Sequence, residues 1–277
     1  MKTKGRFGRW AIQGFLIVVS VAILMPVLVV ANTSFKTKKE LYVGSPLELP
    51  QSLRPDNYLA AYQRLHVETT FVNTVAYTAI SVVILGFLSA AGAWVIARNR
   101  GRFYKVTYLY FITGLLIPFQ ALFLPIYIIG FQLHLTNTFY GIILMYVATG
   151  LPFGIFLMTS FMTTVPLDLE EAAKIDGCSV YRTFFQIVLP LLQPAVATLI
   201  ILQAFGIWND YLLASLYVSE TRLKTLTVFM QQLFSTTSRD YNTAMAAIMI
   251  STLPIVALFV SLQKYFIKGL AAGVVKG

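Results

Sequence analysis

The chain has 277 residues, of which 57% are hydrophobic and 12% charged, with a net charge of +10. A soluble domain carries about a quarter charged residues, so this composition, with a mean hydropathy of +0.74, excludes a water-soluble fold and makes the bilayer the main solvent. The basic excess does not call for nucleic acid. No basic patch interleaved with aromatics stands outside the apolar segments, and lysine and arginine held on the cytoplasmic side account for it.

The chemistry the chain lacks narrows its function. Cys178 is the sole cysteine, so no intrachain disulfide or cysteine-rich metal site forms. His66 and His134 lie far apart, and neither sits in an HExxH pattern. The nucleophile elbow GxSxG and the phosphate-binding GxxxxGK[ST] are absent. The chain has neither the cluster an enzyme needs nor the means to hydrolyse a nucleotide by itself.

Taken in order, the first element follows Lys2, Lys4, Arg6 and Arg9 and is apolar from Trp10 to Ala31. A signal peptide has an apolar core of only about 7–15 residues, so this run reads as a retained first helix. Spanning the hydrocarbon takes about 20 apolar residues. The stretches 10–31, 72–97, 106–131, 139–161, 187–208 and 243–262 qualify, and none contains Lys, Arg, Asp, Glu or His. Each such charge at mid-bilayer costs about 2.5–3.5 kcal/mol. The expectation is an all-α integral membrane protein with six transmembrane helices.

The connections set the orientation. The short 98–105 link carries Arg98, Arg100, Arg102 and Lys105, whereas 132–138 has no Lys or Arg. Short basic links stay inside, which puts both termini and the 162–186 link in the cytoplasm. Pro118 and Pro125 interrupt the third span. Gln120 between them either faces a polar path or satisfies a carbonyl freed by Pro125.

The 162–186 link holds Asp168, Glu170, Glu171 and Asp176, four of the 11 acidic residues within nine positions. Asp168 reads as a helix cap with Glu171 three residues on, Glu170 and Lys174 as an i, i+4 pair, Gly177 as a left-handed terminator, and Ser179 as the cap of a second helix. Leu169, Ala172 and Ala173 share one side, where two alanines let another backbone come close. Two readings stand: a solvated, well-capped connector, or an elbow that docks a partner.

Glu171-Ala172-Ala173, then Gly177, then Ile187-x-Leu189-Pro190 resembles the EAA signature of ABC importer permeases at every fixed position. Ser34-Phe35-Lys36, Arg54-Pro55-Asp56-Asn57-Tyr58, Asn73-Thr74, Pro118-Phe119-Gln120 and Trp208-Asn209-Asp210-Tyr211 are similar to the carbohydrate branch. The tail from Gln263 to Gly277 looks like the MalG-type ending, with Val274 in place of the more usual alanine.

The resemblance implies a type I ABC importer permease fold. Residues 1–69 would form the N-terminus, first helix and external loop, 70–262 the transmembrane domain with its coupling elbow at 166–190, and 263–277 a cytoplasmic tail. It implies a transport subunit of a bacterial or archaeal cytoplasmic membrane, moving a di- or oligosaccharide, rather than an enzyme. Its partners would be membrane lipid, a second, MalF-like permease, two cytosolic ATPase subunits that carry the ATP and Mg, and an extracytoplasmic sugar-binding protein. The chain itself would hold no cofactor. Glu170, Glu171, Ala172, Ala173, Asp176 and Gly177 would couple to the ATPase, and Gly273, Lys276 and Gly277 would reach it through the tail. Gln120, Gln203, Trp208 and Asn209 have the chemistry of a sugar path, though helix–helix bonding or interface anchoring would use the same residues. The 210–242 segment either probes the docked binding protein or is a plain solvated loop. The alternatives are an ion-coupled carrier, disfavoured by spans without ionisable groups, and an ABC importer of another solute such as a glycerol phosphodiester.

Overall fold

A segment crossing a bilayer must satisfy its own backbone, so long apolar runs fold as helices. The computed structural model describes residues 4–236 and 240–274. In chain order the helices are α1 (Lys4–Ser34), α2 (Lys38–Val43), α3 (Asp56–Arg64), α4 (Val67–Arg98), α5 (Arg102–Leu116), α6 (Phe119–Gln132), α7 (Phe139–Met162) and α8 (Leu167–Ile175). There follow α9 (Val180–Thr183), α10 (Leu189–Leu191), α11 (Gln193–Trp208), α12 (Leu212–Tyr217), α13 (Leu226–Thr236) and α14 (Tyr241–Val274). A π turn, Phe184–Val188, joins α9 to α10, and no strand occurs among the described residues.

Four stretches are long and apolar enough to cross alone: Gly8–Ser34, Val67–Arg98, Phe139–Met162 and Tyr241–Ser261. The other two expected spans are bent pairs of helices, which makes six spans if each pair counts as one. α5 and α6 meet at 108°, and Val180–Leu191 meets α11 at 71°. Pro118 forces Ile117 into extended backbone (φ −83°, ψ 119°), which ends α5. At the second break Pro190 and Pro194 flank Leu192, and each removes an N–H from the helical ladder. The described residues of the 210–242 segment include α12, a 3-10 turn at Thr221–Leu223 and α13.

The chain divides into two compact units. The first comprises Met1–Val67 and Phe229–Pro254. Here the Ser34-Phe35-Lys36 and Arg54–Tyr58 segments converge. The Ser34 and Tyr58 hydroxyls lie 2.8 Å apart, and the Phe35 and Tyr58 rings are 5.0 Å apart. Asn57 Nδ2 donates to the carbonyls of Ser34 and Lys36, at 2.8 and 2.9 Å. Lys36 is buried, and its Nζ donates to the Ser45 carbonyl at 2.8 Å. Asn242 Nδ2 reaches the Lys36 carbonyl at 2.7 Å, and Asp240 pairs with Arg64 at 3.1 Å and Lys38 at 3.5 Å. A full capping box, Thr37 with Glu40, starts α2. In the Gly8–Ser34 part of α1, the most apolar 18-residue window has no residue buried against the chain.

The second unit comprises Glu68–Val228 and Ile255–Gly277. Its core has two clusters. One gathers Tyr77, Ile142, Tyr146, Ile207, Leu213 and Tyr217; the other gathers Leu85, Ala93, Met158, Phe184, Val188 and Leu199. α4 and α7 approach through small residues, as membrane helices do when dispersion rather than water drives packing. A Cβ at Gly154 would stand 2.0 Å from Ser89 Oγ, and one at Gly150 would stand 2.7 Å from Leu85. Near the start of α4, Asn73 Nδ2 donates to the Arg222 and Lys224 carbonyls and Tyr77 Oη to that of Leu223. Thr74 Oγ1 accepts the Leu226 N–H at 3.0 Å. At the other end of α4, Arg98 binds the acidic link. The 25 residues between Asn73 and Arg98 rise about 37 Å, more than the ~30 Å of hydrocarbon. The two histidines serve as turns: His66 (φ 48°) follows α3 and His134 (φ 54°) follows α6. After α6 the Leu135 N–H closes on the Gly130 carbonyl at 2.8 Å, a Schellman reversal.

Candidate functional site

The acidic link folds as a helix, a reversal and a second helix. Pro166 is the N-cap of α8, in extended backbone (φ −60°, ψ 132°), and its ring offers no side-chain acceptor for the first helical N–H groups. That start precedes Asp168, so the expected Asp168–Glu171 capping box is corrected. No side chain caps α8, and Asp168 lies inside the first turn, where its charge favours the helix dipole. Gly177 takes φ 76°. Its N–H bonds the Lys174 carbonyl at 3.1 Å, and that of Cys178 bonds Ala173 at 2.9 Å, the Schellman pattern expected of Gly177. Ser179 Oγ then accepts the Arg182 N–H at 3.3 Å and caps α9.

Glu170 and Lys174 do not pair. Glu170 turns inward to α4 instead. Its Oε1 accepts from Arg98 Nη2 at 2.7 Å and Nε at 2.8 Å, and its Oε2 accepts from Trp94 Nε1 at 2.8 Å. Arg98 Nη2 also donates to the Val165 carbonyl at 2.8 Å. The Glu170 and Arg98 side chains are 10% and 20% exposed. Trp94 lies against Phe184, ring centroids 5.3 Å apart, and Phe184 is buried. Both ends of the link are thereby tied to the last turn of α4.

The opposite face is bare. Of the trio expected on one side, Ala173 is buried, whereas Leu169 and Ala172 are exposed. Ile175 is 86% and Tyr181 79% exposed. Glu171 and Asp176 are exposed, and their side chains show no hydrogen bond or ion pair among the described residues. The outward face of the elbow is thus both apolar and acidic.

A second polar feature lies among α6, α7 and α11. Phe119, Tyr146, Thr149, Gln203, Gly206 and Asp210 line a cleft of about 180 Å³. The structure brings only Gln203 of the four sugar-path candidates to this cleft. Trp208 is buried, edge-on to Phe71 at 6.0 Å. Asn209 Nδ2 folds back onto the Phe205 carbonyl at 2.9 Å. Gln120 is exposed, and no side-chain bond to the carbonyl freed by Pro125 is present among the described residues. Of the tail candidates, Gly273 lies within α14; Lys276 and Gly277 fall outside the described residues. Among the described residues no group of three His, Cys, Asp or Glu is placed to hold a metal.

Sequence reasoning missed Arg98 and Trp94 as partners of the elbow, and Tyr146 and Thr149 as cleft residues. The available signals were a Trp and an Arg one helical turn apart at the end of a span, and two hydroxyl residues inside an otherwise apolar run.

The model of the family described as "Binding-protein-dependent transport system inner membrane component" matches residues 82–272. The chain belongs to this family. The binding-protein-dependent permease is 36% identical over 261 residues to the probable starch degradation products transport system permease protein AmyC of Thermoanaerobacterium thermosulfurigenes, covering 94% of each chain. It is 33% identical to the melibiose/raffinose/stachyose import permease protein MelC of Bacillus subtilis, again over 94% of each. It is also 33% identical to the diacetylchitobiose uptake system permease protein NgcG of Streptomyces coelicolor, over 91% of this chain and 84% of that one. Its fold is that of a chain in the crystal structure of a bacterial alginate ABC transporter bound to a periplasmic protein (TM-score 0.65, 14% identity, 95% of this chain and 96% of that one). The resemblance read from the sequence is borne out, and the permease is a multi-pass inner-membrane transport subunit rather than an enzyme.

Proposed function

We propose that this permease is one half of the pore of an ATP-driven importer of di- or oligosaccharides, and that an ATPase engages it through the 166–190 elbow. The observation that carries the coupling is the two-faced elbow. Glu170 and Ala173 bind it to its own chain, while Glu171, Ala172 and Ile175 are left outward and unpartnered. A lever needs both a fixed side and a free side. Orientation by the short basic 98–105 link places this face, and both termini, in the cytoplasm.

The remaining parts follow. Residues 70–262 form the transport domain, with 1–69 ahead of it and 263–277 as a tail in which Gly273, Lys276 and Gly277 approach the ATPases. ATP and Mg belong to two ATPase chains. Closure of these on ATP draws the elbows together and turns the pore outward. A MalF-like second permease accepts the bare surface of α1, and a sugar-binding protein docks outside, where the 210–242 segment meets it. Asp176 and Gly177 shape the elbow; Gln203 faces the sugar. The sugar assignment draws on the relatives named for starch degradation products, for melibiose, raffinose and stachyose, and for diacetylchitobiose. The family match displaces the ion-coupled carrier.

The test is Glu171→Lys in the assembled importer. The expected result is a permease that inserts normally and loses both ATPase co-purification and sugar uptake. Wild-type uptake with full ATPase association would refute the coupling.

A further inference from the structure

The cleft at Gln203 holds a donor and acceptor pattern that selects its ligand. Asp210 is fixed from three sides: Oδ2 accepts from Tyr146 Oη at 2.9 Å and from the Ala214 N–H at 2.8 Å, and Oδ1 accepts from the Leu213 N–H at 3.3 Å. Each oxygen keeps lone-pair capacity toward the cleft. The Tyr146 proton is committed to Asp210, and the Thr149 hydroxyl donates to the Met145 carbonyl at 2.8 Å. Both hydroxyls therefore face any ligand as acceptors. Gln203 makes no side-chain bond among the described residues and adds a carbonyl with two N–H groups. Phe119 supplies a ring face. No Lys or Arg forms an ion pair with Asp210 among the described residues.

From this we infer that the cleft is a subsite for one uncharged sugar ring, and that it rejects anionic solutes; the inference rests on the importer reading above. An acceptor-rich wall needs a ligand with protons to give, and every sugar hydroxyl has one. The ionised carboxylate or phosphodiester group of an anionic solute has none, and its charge would face that of Asp210 in a medium of low dielectric. At about 30 Å³ per water, the 180 Å³ cleft displaces about six waters for a ring. The apolar face of the ring stacks on Phe119. The glycerol phosphodiester alternative fits this site badly.

The test uses the assembled importer in proteoliposomes, with raffinose and maltotriose as probes. A Cβ at Gly206 meets no heavy atom within 4 Å, so a side chain there starts in open space; Gly206→Leu narrows the cleft that Gly206 lines, and replacing glycine favours the helix. Gly206→Leu and Gln203→Ala are expected to lower sugar moved per ATP hydrolysed by about five-fold, a ratio of transport to hydrolysis. A folding defect would lower both together. In purified complex without binding protein, wild type is stabilised thermally by the neutral trisaccharides and not by trigalacturonate. Asp210→Asn loses that discrimination. An unchanged sugar-to-ATP ratio in both cleft variants, with wild type importing sugar, overturns the subsite alone. Equal stabilisation of wild type by neutral and acidic trisaccharides overturns the charge selection. A wild type that imports no carbohydrate overturns the importer reading, and this inference with it.

Discussion

Replacing Arg98 by Met removes the cation that holds Glu170 and leaves that carboxylate, 10% exposed, with Trp94 as its remaining partner. Breaking a buried pair by deleting one member costs about 3–5 kcal/mol. Arg98 is 20% exposed, so the lower end, about 3 kcal/mol, is the expected magnitude. The lost bond to the Val165 carbonyl is part of the same loss. A penalty of about 3 kcal/mol is roughly a hundred-fold in an opening equilibrium, yet it is less than the ~5–15 kcal/mol that holds a whole protein together. The elbow should therefore loosen while the spans remain. Hydrogen exchange by mass spectrometry in nanodiscs reads this directly: amides of residues 167–178 should exchange about a hundred-fold faster in Arg98→Met. Adding Glu170→Gln, which removes the stranded charge and keeps an acceptor for Trp94, should recover most of the protection. Wild-type exchange in the single variant, or no recovery in the double, would refute the claim that this pair anchors the elbow.

Gly154→Ala puts a methyl 2.0 Å from Ser89 Oγ and 2.9 Å from its Cβ. The α4–α7 contact should then lose about 1–3 kcal/mol, seen as a lower thermal midpoint in detergent, and Ser89→Gly on the same chain should restore part of it. Glu40 is held at a pKa of about 2, first by the Thr37 N–H, then by the Gln51 N–H and the Thr37 hydroxyl, with Lys36 adding to the pull. Because the folded value is depressed, its support of the 37–51 segment is complete above the ordinary value of 4.5 and fades as pH falls from there toward 2. Protection factors at Thr37 and Gln51 should fall across that window in wild type and stay flat in Glu40→Gln.

What the sequence showed depended on how far apart the partners stand. Gly177 and Ser179 were legible because a left-handed reversal and a cap are decided within a few residues. The spans were legible from apolar length, whereas the Thr37–Glu40 box was not read from the sequence and shows only once its helix is located. The Asp168 cap failed to a neighbour with a stronger local rule, Pro166. Pairings of high sequence separation were hidden: Glu170 with Arg98 is 72 residues apart, and Tyr146 with Asp210 is 64. Nothing in the text of either segment names its partner, since a buried carboxylate takes whichever donor the packing delivers. The 108° break had its cause in plain view at Pro118, but hydropathy alone runs straight through it.

Cys178 is the chain's lone thiol, and it stands immediately after the Gly177 reversal, partly open to solvent. Nature has thus placed a single chemical handle at the pivot between α8 and α9. A spin label or fluorophore attached there needs no background cysteines removed from this subunit. Its distance to a second label would test, in the native sequence, whether the elbow moves as the proposed coupling requires.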